Sequence, residues 1–176
     1  MKFKPDKAIE IIEFVLLCAA TFACVGVAQP EKALPVHVVV DKGDFSLNVY
    51  RGDSLIHTFP IAVGKASGDK QEVNDNRTPE GDFSISQIQD SHGWSFDFRD
   101  GKGPIRGAYG PWFFRLDTSA KRTRSGKAWT GIAIHGTHDP SSVGTNASEG
   151  CVRMNNGDLQ ALKRIVRVGT AVTIRE

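Results

Sequence analysis

Two residues of this 176-residue chain have the types and the placing to run covalent chemistry together: His135 and Cys151. The stretch that holds them reads IAIHGTHDPSSVGTNASEGCVRM, from Ile132 to Met154. Ile132 and Ile134 are apolar at alternate positions, the pattern of a short strand ending at His135 and Gly136. A loop rich in Ser, Gly, Asn and Asp follows from Thr137 to Ala147, and Val152 and Met154 restart the alternation. The chain thus leaves a strand at an imidazole and returns at a thiol. A thiolate is a strong nucleophile, but a free thiol ionises only near pH ~8.5, so a neighbouring base makes it competent at neutral pH. Gly150, just before the cysteine, permits a tight turn and bares N–H groups of the kind that stabilise an oxyanion.

The neighbours of the pair have two readings each. Arg153 can hold a substrate carboxylate through its planar guanidinium, or pair with an acid to stiffen the loop. Ser148 can belong to a substrate site or simply bond backbone in the turn. Glu149 places a carboxylate beside the nucleophile, which raises the thiol pKa unless Arg153 or His135 offsets it. His138 and Asp139 with Cys151 lack the helical or Cys-pair spacing of a zinc site, so no metal is expected. The sequon Asn146-Ala147-Ser148 at the mouth of the site is read as chance.

The elements that must position these residues read as a β-rich domain. Val36 to Val40 is a β-branched run, Asp41 to Asp44 a turn, and Phe45, Leu47 and Val49 alternate with polar residues up to Arg51. Leu55 to Val63, Phe83 to Ile88 and Trp112 to Leu116 read as further strands, and Ala171 to Ile174 as a closing one. Between Gln89 and Pro111 the chain is irregular, as a lid or binding loop is. His92, Trp94, Phe96 and Phe98 either line that loop or form one face of a strand. Ser119 to Lys127 is a basic, solvated turn. Asn155 or Asn156 caps a helix whose apolar face is Leu159, Leu162, Ile165 and Val166, with Gly169 ending the segment. The expectation is a mainly β, sandwich- or barrel-like domain of seven to nine strands with one helix packed on it.

Residues 1–28 are expected to stand outside that domain. Lys2, Lys4 and Lys7 open the chain, Phe14 to Ala28 is an apolar run, and Gly26 and Ala28 offer a small-residue cleavage site. The competing reading is an uncleaved membrane anchor over residues 11–28. Residues 29–35 read as a linker and 36–176 as the functional domain. Cys18 and Cys24 fall in the leader, so an exported chain would keep Cys151 alone, without an internal disulfide. A net charge of +2 is too small to argue for nucleic acid.

The motif resembles the active site of the YkuD-type L,D-transpeptidases, bacterial cell-wall enzymes with a nucleophilic cysteine. The family pattern is a His-Gly pair, a loop, then Ser-x-Gly-Cys-hydrophobic-Arg-hydrophobic. Here those residues are His135-Gly136 and Ser148-Glu149-Gly150-Cys151-Val152-Arg153-Met154. Many members carry a histidine where this chain has Glu149. Thr78-Pro79-Glu80-Gly81-Asp82-Phe83 and Tyr109-Gly110 resemble two further family segments, so the resemblance covers nearly all of Val36 to Ile174. It implies the family's β fold, with Cys151 as nucleophile, His135 as general base and the carbonyl of Gly136 orienting that base. The N–H groups of Gly150 and Cys151 would hold the oxyanion. It also implies action on peptidoglycan tetrapeptide stems as donor and acceptor, in the periplasm or cell envelope, by a monomer with no cofactor. An L,D-carboxypeptidase trimming the same stems, or a catalytically silent wall-binding domain, are the alternatives.

Overall fold

The computed structural model describes residues 33–176; the expected leader at 1–28, and the anchor alternative at 11–28, lie outside the described residues, as does the first part of the 29–35 linker. Eleven strands are present: β1 (Val36–Asp41), β2 (Ser46–Arg51), β3 (Ser54–Gly64), β4 (Gly81–Asp90), β5 (Ser95–Phe96), β6 (Ile105–Arg106), β7 (Trp112–Leu116), β8 (Ala133–His135), β9 (Asn146–Ser148), β10 (Val152–Met154) and β11 (Ala171–Arg175). Helix α1 spans Asn156–Lys163. The main sheet runs β10-β8-β7-β4-β11-β1-β2-β3, and β3 pairs back onto β10. Eight strands therefore close into a barrel, and β9 attaches to the far end of β3. Closure removes the open edges that a flat sheet would leave.

The period-two pattern of the strands explains the core. Val38 and Val40 of β1, Leu47 and Val49 of β2, Ile61 and Val63 of β3, and Val172 and Ile174 of β11 all point inward and are buried. Phe114, Leu116, Ile134, Val152 and Met154 complete the interior from the opposite side. Leu159 and Leu162 seal it from α1, and Lys163 at the end of that helix lies over the Trp112 ring of β7, 4.9 Å from its centroid.

Several boundaries differ from the sequence reading. Phe45 belongs to the turn rather than to β2, with φ of 48°, although its side chain still packs on the core. Helix α1 ends at Lys163; Ile165 and Val166 pack on the core from the turn that follows, where both N–H groups bond to Leu162 O. The helical apolar spacing there reports packing beyond the last turn of the helix. The loop from 137 to 147 contains a short 3-10 turn (Pro140–Ser142) and the start of β9. Asn146 and Ser148 carry no apolar pattern, because β9 is recruited through backbone pairing with Val63 and Gly64. Of the stretch 89–111, Gln89 and Asp90 end β4, and the remainder carries a small separate ribbon of β5 and β6.

Candidate active site

Three adjacent strands build the site with one alternation. Phe114, Ile134 and Val152 face the core, so their neighbours face outward. In register, Phe113 stands opposite His135, and His135 opposite Arg153. One step along, Arg115 stands opposite Ala133. Cys151 continues that row beside Ala133, since Val152 pairs with Ile134. Phe113, Arg115, His135, Cys151 and Arg153 all line one cavity of about 370 Å³. The core pattern that a sequence reader finds first thus also dictates which residues meet at the surface.

His135 is buried, and its Nδ1 lies 2.6 Å from Gly136 O. A carbonyl only accepts, so Nδ1 carries the proton and Nε2 is left as the base. Burial lowers the imidazole pKa to about 4; the Gly136 bond opposes that shift and the charge of Arg153 adds to it. The ring is neutral at pH 7. It is wedged between Phe113, stacked at 5.6 Å, and Tyr109, edge-on at 5.0 Å. Gly136 must be glycine by close approach: an added Cβ would lie 2.2 Å from Asn156 Oδ1 and 2.9 Å from Gly110 Cα. That same Asn156 oxygen accepts from Thr137 N at 3.0 Å, so the start of α1 clamps the chain just beyond the histidine. Asn156, read from sequence as a possible cap, is instead a brace for the base. Asn155 holds the N-cap position but makes no side-chain capping bond.

The loop leading to Cys151 is set by Ser148. Its hydroxyl donates to Cys151 O at 2.5 Å and accepts from Gly150 N at 3.0 Å. Gly150 has φ of 129°, and a Cβ there would lie 2.9 Å from Arg77 O, so no other residue fits without strain. Because Ser148 engages the Gly150 N–H, the N–H of Cys151 is the donor left without a partner among the described residues. The Cys151 thiol donates to Gly131 O at 3.2 Å. Burial raises its pKa; the Ala133 N–H, then Arg153, Lys70 and Arg115, pull it down without overcoming that effect. Glu149 is exposed at the cavity mouth, so burial and not the adjacent carboxylate leads the upward shift.

Two walls flank the pair. On one side the β5–β6 ribbon and its flanks contribute Trp94, Phe96 and Phe98, so three of the four aromatics of the irregular stretch line the cavity, whereas His92 lies outside it against Trp112. Tyr109 closes that wall; burial, followed by the negative charges of Cys151 and Glu149, pushes its phenol up to about 12. On the other side Lys70, Val73 and Asn74 form a wall that sequence reading left as an ordinary polar loop. Lys70 is buried and its Nζ bonds Asp75 at 2.8 Å. The Asp75 carboxylate also accepts from the N–H groups of Gln71, Glu72 and Arg77. Burial would raise its pKa, but these bonds hold it well below the usual carboxylate range. The cue available in sequence was Asn-Asp-Asn: Asn74 and Asn76 both adopt positive φ around this anchor.

Arg153 is buried yet has no carboxylate within ion-pair reach, and its Nε has no acceptor among the described residues. Its guanidinium lies 5.6 Å from the Phe98 ring centroid. His138 packs on Phe98 at 5.1 Å, and Asp139 caps the 3-10 turn through Ser141. Neither joins Cys151, and among the described residues no three His, Cys, Asp or Glu side chains form a metal set.

The family model for the L,D-transpeptidase catalytic domain (YkuD) matches residues 35–174. The chain is 35% identical over 149 residues to the Bacillus licheniformis protein named L,D-transpeptidase YkuD, covering 85% of this chain and 70% of that one. Among solved structures, Bd1075 of Bdellovibrio bacteriovorus superposes with a TM-score of 0.57 at 24% identity, over 81% of this chain and 48% of that one. L,D-transpeptidase 3 of Mycobacterium tuberculosis, solved with a faropenem-derived adduct, gives 0.55 at 16% identity over 80% of this chain and 60% of that one. The chain therefore spans between about half and three-fifths of those two solved chains, and the likeness to them is one of fold. With the barrel, the His-Gly and Ser-x-Gly-Cys segments and this match over nearly the whole described domain in agreement, the chain belongs to the L,D-transpeptidase catalytic domain family.

Proposed function

We propose that this protein transfers acyl groups between peptidoglycan stem peptides through a thioester on Cys151. The observation that carries the reading is the 2.6 Å contact from His135 Nδ1 to Gly136 O, which leaves Nε2 of a neutral imidazole as proton acceptor in the cavity of the thiol. The thiol turns from Gly131 O and gives its proton to His135. The sulfur then attacks the carbonyl before the terminal D-alanine, and the oxyanion is met by the Cys151 N–H. A C–S bond forms, the C–N bond breaks, and the departing amine takes the proton back from His135. An amine of a second stem then attacks the thioester, which restores the thiol and leaves a cross-link. Arg153, buried and without an acidic partner, pairs with the terminal carboxylate of the donor. With a cell-wall substrate, the proposal extends to a protein of the periplasm or cell envelope, exported or anchored through its N-terminal segment; the position of the mature N-terminus tests that.

The test is the purified protein mixed with muropeptides, with products identified by mass. Cross-linked dimers are expected. Tripeptides alone would make the protein a carboxypeptidase, with water in place of the amine, and unchanged muropeptides would refute both.

A further inference from the structure

A second cation of the site has no role in the reaction just described. Arg115 stands on β7 in the same outward row as Ala133 and Cys151, two strands from the nucleophile. At about 4.8 Å per strand, its Cα is on the order of 10 Å from that of Cys151. An arginine side chain reaches across most of that distance. Its guanidinium is laid over the Phe113 ring, 5.2 Å from the centroid, and it lines the cavity. Among the described residues it has neither an ion pair nor a side-chain hydrogen bond. Lys70 differs, since Asp75 already takes its charge. The cavity thus presents two uncommitted guanidiniums, Arg153 and Arg115, each steadied on an aromatic face. Arg153 follows Cys151 along β10, whereas Arg115 faces it from across β8. Two such groups, on different sides of one nucleophile, fit a ligand with two carboxylates around the attacked carbonyl. Among the described residues, the single acidic side chain lining the cavity, Glu149, is exposed at its mouth.

Building on the acyl-transfer reading above, we propose that Arg115 is a specificity residue that selects donor peptides whose attacked residue carries a free side-chain carboxylate, while Arg153 takes the terminal one. A donor with the same side chain capped as a carboxamide keeps shape and hydrogen bonding but loses the charge. It would leave the Arg115 guanidinium without a counter-charge.

The experiment uses two synthetic tetrapeptide donors that differ only in carboxylate or carboxamide on the residue before the terminal D-alanine. Acylation of Cys151 is followed by intact-protein mass. The wild type is expected to prefer the carboxylate donor by about tenfold or more, as befits a charge-assisted contact. In Arg115→Gln the ratio of the two rates is expected to fall towards one. Gln87→Glu supplies an independent arm: Gln87 is exposed and directly opposite Arg115 on β4, so a carboxylate there would occupy the guanidinium from within. It too should lower the ratio, and added salt should lower it in the wild type. Equal acylation by the two donors in the wild type, or a preference that persists in both variants, would overturn the proposal while leaving the acyl-transfer reading in place. Acylation by neither donor would overturn both.

Discussion

Two buried cations lie on either side of the loop that follows β3, and they are treated in opposite ways. Lys42, near the end of the barrel where β1 turns into β2, is buried with three acceptors: Gly68 O at 3.0 Å, Glu80 Oε1 at 2.6 Å and Glu176 Oε2 at 2.8 Å. Burial works against its charge, but the bonds to Glu176 and Glu80 prevail and its pKa is raised. Arg153 is buried to a similar degree with no carboxylate within ion-pair reach among the described residues, and desolvation outweighs the more distant charges of Cys151, Asp139 and Glu149 to lower its pKa. Taking a charge out of water without a partner is unfavourable by several kcal/mol, to order of magnitude. A fold that satisfies one buried cation so fully and leaves another open marks the second as a place for a ligand's charge. Lys42 holds structure together; Arg153 is the group proposed to meet a substrate charge.

The harshest way to break that contrast is to remove the chemistry while leaving the Lys42 side untouched. Cys151→Ala is expected to abolish acylation by donor peptide, and His135→Ala to slow it by about 10²–10⁴-fold. Both proteins should melt as cooperatively as the wild type. Residual turnover within tenfold of wild type in the cysteine variant would remove Cys151 from the mechanism.

Next, Arg153→Met and Lys42→Met should move in opposite directions. Losing the unpaired guanidinium is expected to cut donor acylation by about a hundredfold or more and to leave stability unchanged or higher by about 1 kcal/mol. Losing Lys42 should cost about 1–2 kcal/mol, since Glu80 and Glu176 keep partial access to water. Its acylation rate should stay within threefold of wild type. Thermal melts beside acylation rates decide it, and two variants that behave alike would dissolve the distinction.

Acid titration sharpens it further. His135 is buried neutral, with a pKa held down to about 4 against an ordinary 6.5. The unfolded chain therefore takes up that proton first, and stability is lost as pH falls from 6.5 towards 4. Asp75 adds a loss at lower pH, from its ordinary 3.8 downward, because its folded carboxyl is held below that value. In His135→Phe the upper part of this decline should disappear, read from denaturant midpoints at several pH values. Acylation in the wild type should likewise persist well below pH 6. A lower limb at the ordinary histidine value would contradict a buried neutral base.

The smallest effect is expected at Glu149. Because burial leads the upward shift of the thiol and Glu149 is exposed, Glu149→His should speed acylation at neutral pH by no more than about threefold. Intact-protein mass over time measures it; a tenfold change would restore the adjacent carboxylate to a leading part.

By itself the sequence determined a mainly β domain and the two residues, His135 and Cys151, proposed as the reacting pair. Alternation in Val36–Val40, in Trp112–Leu116 and at Val172 and Ile174 is a local property, since a strand with one buried face must repeat every two residues. The same rule put His135 and Cys151 at the ends of neighbouring strands, where His-Gly and Ser-x-Gly-Cys could be read directly. Other features depend on groups far apart in the chain. The backbone recruitment of β9 by β3, the brace from Asn156 Oδ1 to Thr137 N, and the Lys70 wall tied to Asp75 leave little periodic trace. The engagement of the Gly150 N–H by Ser148, and the lack of a carboxylate within ion-pair reach of Arg153 among the described residues, are likewise facts about three-dimensional neighbours. Local pattern decides which face of a strand a residue takes. Only closure of the barrel decides which charge it meets there, and for Arg115 and Arg153 it leaves no carboxylate within ion-pair reach among the described residues.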